Sequence, residues 1–529
     1  MNHLLTEAQT PTKPRPVNNV RKFTEALSAD IDQNTGKGEK AKPSEIFYEP
    51  IYDRDKKVKD IKLLYRAFTD LLKSMGFMLL YDSKQPTYVR LTDNILEEVS
   101  TSKIQHIFLA YIEKEHQPLE GVLRDMIIEK IHRCNTTLFS DSRLSLLYPD
   151  KPIQFQTDTA TECFIYYANG VVRCSAEGIA LLDYKHLTGV IWKKQLLDRV
   201  FTPMEWEKTF GSGEELVDSF GYFAKFMFRI AGSRMDRFYS LCAIAGYMLH
   251  CHFDYKLKAI ILTDSKISDK ADGRSGKTLF CQGLGKIRNY AEINGKDFDP
   301  ANKHKYQTAD MESQIVCLND VRRNFQPENV FNDITEGLQV EKKNKQPFKI
   351  RPKMIISSNK TLNVEGTSAQ DRVLEYEVAE HYSNTYSPAD EFGHWFFSGW
   401  NAAQWNLFDN FMAFSACYFL RNGLREPAQI NLQKRKLVDA TSMDFVEFLD
   451  DKFSAGELKW NQDFKKDDVQ SEFIKLNPDY EGNKRFSSDR NFLRHLRQYC
   501  EAYGGKYSSS RSTSVRWVHF GKHLENEYK

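Results

Sequence analysis

A length of 529 residues exceeds what one hydrophobic core normally serves, so about three or four domains are expected. Hydrophobic residues at 41% and charged residues at 28% are ordinary for a soluble globular protein. The 74 Lys and Arg nearly cancel the 72 Asp and Glu, and a net charge of +2 excludes a uniformly basic chain, so any basic surface must be local.

Residues 1–45 are rich in Thr, Pro, Lys, Asp and Gly with few large apolar groups, which predicts a disordered tail. Residues 46–205 predict a mixed α/β domain. In "IKLLYRAFTDLLKSMGFMLL" and "LEGVLRDMIIEKIHRC" the apolar residues recur at three- and four-residue spacing, as in helices. "ECFIYYANGVVRCS" (162–175) predicts a hairpin that turns at Asn169-Gly170. Asp53 and Asp55 in "YDRDKK" have the spacing of metal ligands, as a primase would need, but they stand in a charged stretch and are read as a solvated loop. Residues 206–255 predict a helical collar broken at Gly232-Ser233.

At 257–264 "LKAIILTD" is a short, continuously apolar run of the kind a buried strand needs, and it opens a core expected over 256–385. Next come "ADGRSGKT" (271–278) and the helical "TLFCQGLGKI". Strand, glycine-bearing loop, Gly-Lys-Thr and helix follow one another as in a phosphate-binding loop. There, consecutive N–H groups and a helix N-terminus face the phosphates, the lysine reaches the β and γ oxygens, and the hydroxyl holds Mg²⁺. Gly273, Arg274, Ser275 and Gly276 would cradle the phosphates of ATP, with Lys277 on their oxygens and Thr278 on the metal. Ala271 replaces the usual first glycine, and Gly273 can supply a positive-φ position instead.

Two further apolar runs carry polar ends. "SQIVCLNDVRR" (313–323) leads to Asn319 and Asp320, which puts the Asp320 carboxylate where it can hold the magnesium shell. "KMIISSNKTL" (353–362) ends in Asn359, whose amide can position the attacking water or touch the γ-phosphate.

In this order the residues resemble the superfamily 3 helicases, in particular the poxvirus-type primase-helicase branch of phages, plasmids and mobile elements. The resemblance covers residues 214–435. It implies an AAA+ type core, a homo-hexamer with ATP between subunits, and single-stranded DNA in a central pore, in the cytoplasm of a bacterial host. The region 330–359 resembles the family's pore hairpin, which implies Lys342, Lys343 and Lys345 as DNA contacts. "GTSAQDRVLEYEV" (366–378) resembles the segment with the arginine finger, here Arg372. The catalytic set is then Lys277, Asp320, Asn359 and Arg372. The family's acidic strand ends in two adjacent acids, and Asn319 occupies one of those positions. An amide cannot accept a proton from water, so either Asp320 and Asn319 orient the water without a strong base or an acid of "TADMESQ" (308–314) substitutes.

Residues 386–438 predict a helical, aromatic-rich extension of the core, its three Trp and five Phe at 391–411 being read as packing. Residues 439–529 predict three helices and a hairpin-like wing, which resemble a winged helix-turn-helix module. Between Lys484 and Lys522 nine Lys and Arg face two acids, and Arg490, Arg494 and Arg497 share one helical face suited to duplex origin DNA. The nine cysteines lack zinc-ribbon spacing and read as buried thiols of a reducing compartment. Nowhere do about 18 consecutive apolar residues occur, so no membrane span is expected.

The expectation is a multidomain α/β protein acting as an ATP- and Mg²⁺-dependent hexameric DNA helicase. The alternative is an origin-binding initiator ring that uses nucleotide for assembly with little unwinding, a reading that Asn319 favours.

Overall fold

A computed structural model describes residues 45–82, 85–149, 151–205, 213–253, 257–266, 274–343, 346–362, 364 and 367–522. The expected tail, apart from Glu45, lies outside them. The chain divides into two compact units, residues 1–92 with 96–152 and residues 93–95 with 153–529. The division falls within residues 46–205, expected as one domain.

In the first unit, strands Tyr48–Tyr52 and Val58–Leu63 pair antiparallel, and strands Phe77–Asp82 and Gln85–Thr92 form a second hairpin. Helices Tyr65–Ser74, Thr101–Lys114 and Arg124–Arg133 enclose a core in which Phe47, Phe68, Phe108 and Phe139 meet edge to face or tilted. Ser100 begins the middle helix by accepting the Lys103 N–H. The Asp53 carboxylate accepts the backbone N–H groups of Asp55 and Lys57, both at 2.9 Å, and so closes the exposed hairpin turn. Among the described residues no cluster of three or more His, Cys, Asp or Glu could hold a metal ion.

The second unit is built on a five-stranded parallel sheet in the order Tyr290–Asn294, Ile315–Asn319, Lys353–Ser358, Ala259–Asp264, Val373–Val378. Every residue of Ala259–Asp264 and Lys353–Ser358 is buried, which explains why their apolar residues, 259–262 and 354–356, come consecutively rather than in alternation. Helices Tyr222–Ile230, Met235–Leu249 and Ala402–Asn422 share one core with the sheet. At the crossing of the last two, a Cβ on Gly246 would stand 2.0 Å from the Ser415 carbonyl oxygen, so only glycine permits the approach. Helices of the expected collar and of the expected aromatic extension thus pack in the same core as the sheet.

The predicted hairpin exists as Cys163–Tyr167 and Gly170–Ser175, joined by a third strand Gly178–Leu182. Its Cys163, Ile165, Tyr167, Val172 and Cys174 belong to the same core. Arg199 clamps this region to the long helix through a two-pronged pair with buried Asp409, both contacts at 2.7 Å.

After the core, helices Met443–Ser454, Lys466–Leu476 and Asp489–Ala502 pack with an antiparallel sheet ordered Asp463–Lys465, Val515–Gly521, Lys506–Ser512. They enclose their own core of Phe445, Phe473, Phe486, Phe492, Val518 and Phe520. All nine cysteines are free, seven of them buried. Among the described residues no helix is long and apolar enough to cross a membrane.

Candidate functional site

The carboxyl ends of the parallel strands hold the site, where open α/β sheets generally bind ligands. Helix Lys277–Leu284 starts directly behind Gly276, whose φ of +104° is the left-handed conformation that glycine tolerates best. A Cβ there would also lie 2.9 Å from Phe226 and 3.0 Å from Ile230, so the loop is pressed against the Tyr222–Ile230 helix. Arg274 precedes it with φ +63°. The helix's first N–H groups lack intrahelical acceptors and give this end a positive potential. Ala271 and Gly273 lie outside the described residues.

Lys277 is buried and donates to the Asp264 carboxylate, to Ser275 Oγ at 3.1 Å and to Asn359 Oδ1 at 3.0 Å. Burial pushes its pKa down, opposed mainly by the neighbouring Asp264. Ser275 donates its hydroxyl to the same carboxylate. Asn359 Nδ2 donates to Asp320 Oδ1 at 2.9 Å, while the other Asp320 oxygen pairs with Lys296 at 2.7 Å. Asp320 stands at φ +58°, and its N–H donates to Ser357 Oγ at 2.8 Å. That hydroxyl donates to Asn319 Oδ1, and Asn319 Nδ2 donates to Glu292 Oε1, each at 2.8 Å. One hydrogen-bonded chain thus runs from Asp264 to Glu292 across the ends of four adjacent strands.

Lys277, Thr278, Asn319, Asp320, Ser357 and Asn359 line a cavity of ≈ 820 Å³. The structure therefore brings together Lys277, Thr278, Asp320 and Asn359. It keeps Arg372 out of the cavity lining; this residue ends helix Thr367–Arg372 with its guanidinium 5.7 Å from the Phe331 ring centre.

Strands Leu338–Val340 and Phe348–Ile350 form the expected hairpin. Lys343 is exposed, Lys342 is paired with Asp310, and Lys345 lies outside the described residues. Arg490, Arg494 and Arg497 are exposed on helix Asp489–Ala502, with Arg497 bonded to Glu501 at 2.8 Å.

Sequence reasoning missed Asp264, Glu292 and Arg435. The acids of 308–314 are engaged elsewhere: Asp310 pairs with Lys342 and Glu312 with Lys194. The carboxylate beside Asn319 is Glu292, from the neighbouring strand. Arg435 comes from helix Leu432–Ala440 and is buried, with Nη2 donating to the Asn359 carbonyl at 3.3 Å and Nη1 without a hydrogen-bond partner. Burial holds its pKa down against the pull of Asp264, Glu377, Asp439 and Glu375.

A family model described as a family of unknown function, DUF5906, matches residues 270–372. That span takes in the Gly-Lys-Thr loop, Asp320, Asn359 and Arg372, but it is under half of the chain. No curated protein matches. Similar solved structures include the A form apo structure of the NrS-1 C terminal region, with 13% identity, a TM-score of 0.35, and coverage of 86% of this chain and 99% of that one. A second apo structure of that region (305–718) has 14% identity, a TM-score of 0.35, and coverage of 86% and 98%. A presumed ATPase from Cytophaga hutchinsonii has 13% identity, a TM-score of 0.21, and coverage of 55% and 83%.

Proposed function

We propose that the cavity is a phosphate-binding-loop site for ATP and Mg²⁺, and that the protein is a DNA-stimulated ATPase of the superfamily 3 helicase type. The observation that carries this reading is the placement of Lys277. A buried ammonium stands at a helix start behind a left-handed glycine, among three oxygen acceptors that phosphate oxygens can replace one for one. The oxygen donors Thr278 and Asp320, lining the same cavity, suit a hard divalent cation. When bound, Mg²⁺ would neutralise charge on the β and γ phosphates.

The chain's own residues supply the rest. Lys277 binds the γ end, Asn359 holds Lys277 and Asp320 in register, and Arg372 acts on a neighbouring subunit's nucleotide in a hexameric ring. Lys343 on the hairpin contacts single-stranded DNA in the pore, with Lys342 joining once released from Asp310. Arg490 and Arg494 present the third helix of a winged helix-turn-helix module to duplex phosphates and bases. The carboxylate of Glu292, reaching Asn319, takes the place of the second acid.

The initiator reading is favoured by one specific observation: both ends of the Asn319 amide are already engaged, by Ser357 and by Glu292, so the position itself offers no base. ATP hydrolysis by wild type and Lys277→Ala, with and without single-stranded DNA at two salt concentrations, separates the readings. Lysine-dependent turnover that DNA raises, less so at high salt, supports the motor. Nucleotide-dependent assembly without DNA-stimulated turnover supports the initiator, and lysine-independent binding of nucleotide overturns both.

A further inference from the structure

The cavity has a wall that phosphate chemistry does not use. Residues 383–396 supply it, and Trp395 lines it with 75% of its surface exposed. Its neighbours in sequence behave differently. Phe396 and Phe397 pack on Trp400 at 5.5 and 4.8 Å between ring centres, and Trp400 packs on Trp405 at 5.2 Å. The expectation that the aromatic stretch is packing holds for these rings. Trp395 takes no part in the cluster's ring contacts among the described residues and faces water beside the site. An indole buries more apolar area than almost any side chain, so leaving one out forfeits a large burial gain.

The backbone holds it there. Gly393 has φ +74°, and Phe397 has φ +67°, a conformation that is strained for a bulky residue. The ring next to Trp395 in the chain also reaches the phosphate loop. Phe396 packs on Phe226 at 5.6 Å, and Phe226 is the ring that a Cβ on Gly276 would strike. One aromatic support therefore places the chain that carries the indole relative to Gly276 and Lys277.

We propose that Trp395 is the stacking platform for the base of a nucleoside triphosphate whose phosphates sit at Lys277. The proposal rests on the nucleotide reading of the cavity and extends it to the base. Stacking uses the π-face that every base has, so ATP and GTP are discriminated weakly, and purines are preferred to pyrimidines for their larger face.

The test compares binding of ATP and of inorganic tripolyphosphate, each with Mg²⁺, to the full chain, to Trp395→Ala, to Trp395→Phe and to Lys277→Ala by calorimetry. Trp395→Ala is expected to weaken ATP roughly 5- to 150-fold and to leave tripolyphosphate unchanged, with Trp395→Phe close to wild type. ATP, but not tripolyphosphate, should quench indole emission in wild type, and Trp395→Phe should abolish that quench. Unchanged ATP affinity in Trp395→Ala overturns the proposal, as does an equal loss for tripolyphosphate, which would mark a structural role. The phosphate assignment fails separately, if Lys277→Ala binds tripolyphosphate as wild type does. A selective loss of ATP in Trp395→Ala would still support stacking in that case.

Discussion

Asn319 donates its amide to the Glu292 carboxylate at 2.8 Å, across the first two strands of the parallel sheet. The carboxylate that Asn319 reaches thus stands on the neighbouring strand, and the proposed function makes it the general base. A general base contributes typically 10²- to 10⁴-fold to a rate, whereas nucleotide affinity depends on the phosphate contacts. Glu292→Gln is therefore expected to lower ATP turnover about 100-fold while leaving ATP affinity nearly unchanged. Asn319→Asp alone sets two carboxylates against each other and should also be impaired. The double exchange Glu292→Gln with Asn319→Asp restores one acid and should recover turnover above either single variant. Steady-state hydrolysis with parallel binding measurements decides it, and full turnover in Glu292→Gln would remove Glu292 from the mechanism.

Why Glu292 escaped the sequence follows from its strand. Tyr290–Asn294 is an edge strand with alternating burial, while the next two strands inward, Ile315–Asn319 and Lys353–Ser358, are covered nearly throughout and announce themselves as apolar runs. "YAEIN" is five residues with no run to detect. Its pairing with Ile315–Asn319 is a long-range register that no local pattern encodes. The same limit explains the domain boundary, because Arg199 and Asp409 are 210 positions apart in the chain. Lys277, Asp320 and Asn359 were readable because each closes or follows a strand whose signal is local. Trp395 shares its composition with the packed rings around it and is set apart by backbone angles that composition does not carry.

The buried pair Lys277 and Asp264 makes Lys277→Ala a structural as well as a functional change. Removing the cation leaves Asp264 buried with Ser275 as its remaining donor, and breaking a buried pair costs about 3–5 kcal/mol. Lys277→Ala is thus expected to melt several degrees below wild type without nucleotide. Lys277→Ala combined with Asp264→Asn should recover most of the loss, because the stranded charge is gone, yet still fail to bind ATP. Thermal melts of the full chain measure this, and a single variant as stable as wild type would show that Asp264 is not stranded.

His495 offers a pH test of the C-terminal fold. It is fully buried beside Phe445 and Phe486, neither ring nitrogen has a partner, and burial with Arg485 and Arg494 nearby lowers its pKa to about 4. The unfolded chain binds that proton at about 6.5, so between these values it holds more protons than the folded chain. Stability then falls as pH drops from about 6.5 to 4, by something of order 3 kcal/mol for this group. In His495→Leu this part of the loss should vanish, giving a flatter melting temperature over that window. Parallel curves for the two proteins would show that His495 is not the group responsible.

The ion pair between Lys342 and Asp310 makes the hairpin lysines unequal. Lys343→Ala should weaken single-stranded DNA binding for all sequences and reduce the slope of log affinity against log salt by about 1. Asp310→Asn frees Lys342 and should tighten binding at low salt by a few-fold, an effect that fades as salt rises. Fluorescence anisotropy with a labelled oligonucleotide at several salt concentrations reads both. Equal slopes for wild type and Lys343→Ala would place the DNA elsewhere.

Arg372 tests the ring itself. Its side chain is absent from the lining of its own cavity and lies over Phe331, and the proposed ring gives it its role on a neighbouring subunit's nucleotide. A finger supplied in trans stabilises charge that develops only in the transition state, worth roughly 10³- to 10⁵-fold in the related GTPase case. Arg372→Ala should therefore bind ATP with near wild-type affinity and hydrolyse it at least about 100-fold more slowly, a loss confined to the chemical step. Lys277→Ala fails for the opposite reason, since its own site is empty while its Arg372 is intact. Mixed with Arg372→Ala subunits, it can complete a neighbour's site, so the mixture should hydrolyse ATP faster than either variant alone, with a maximum near equal proportions. A monomer, or a ring in which Arg372 acts within its own subunit, would give no such gain, because no mixed interface could then combine a working loop with a working finger.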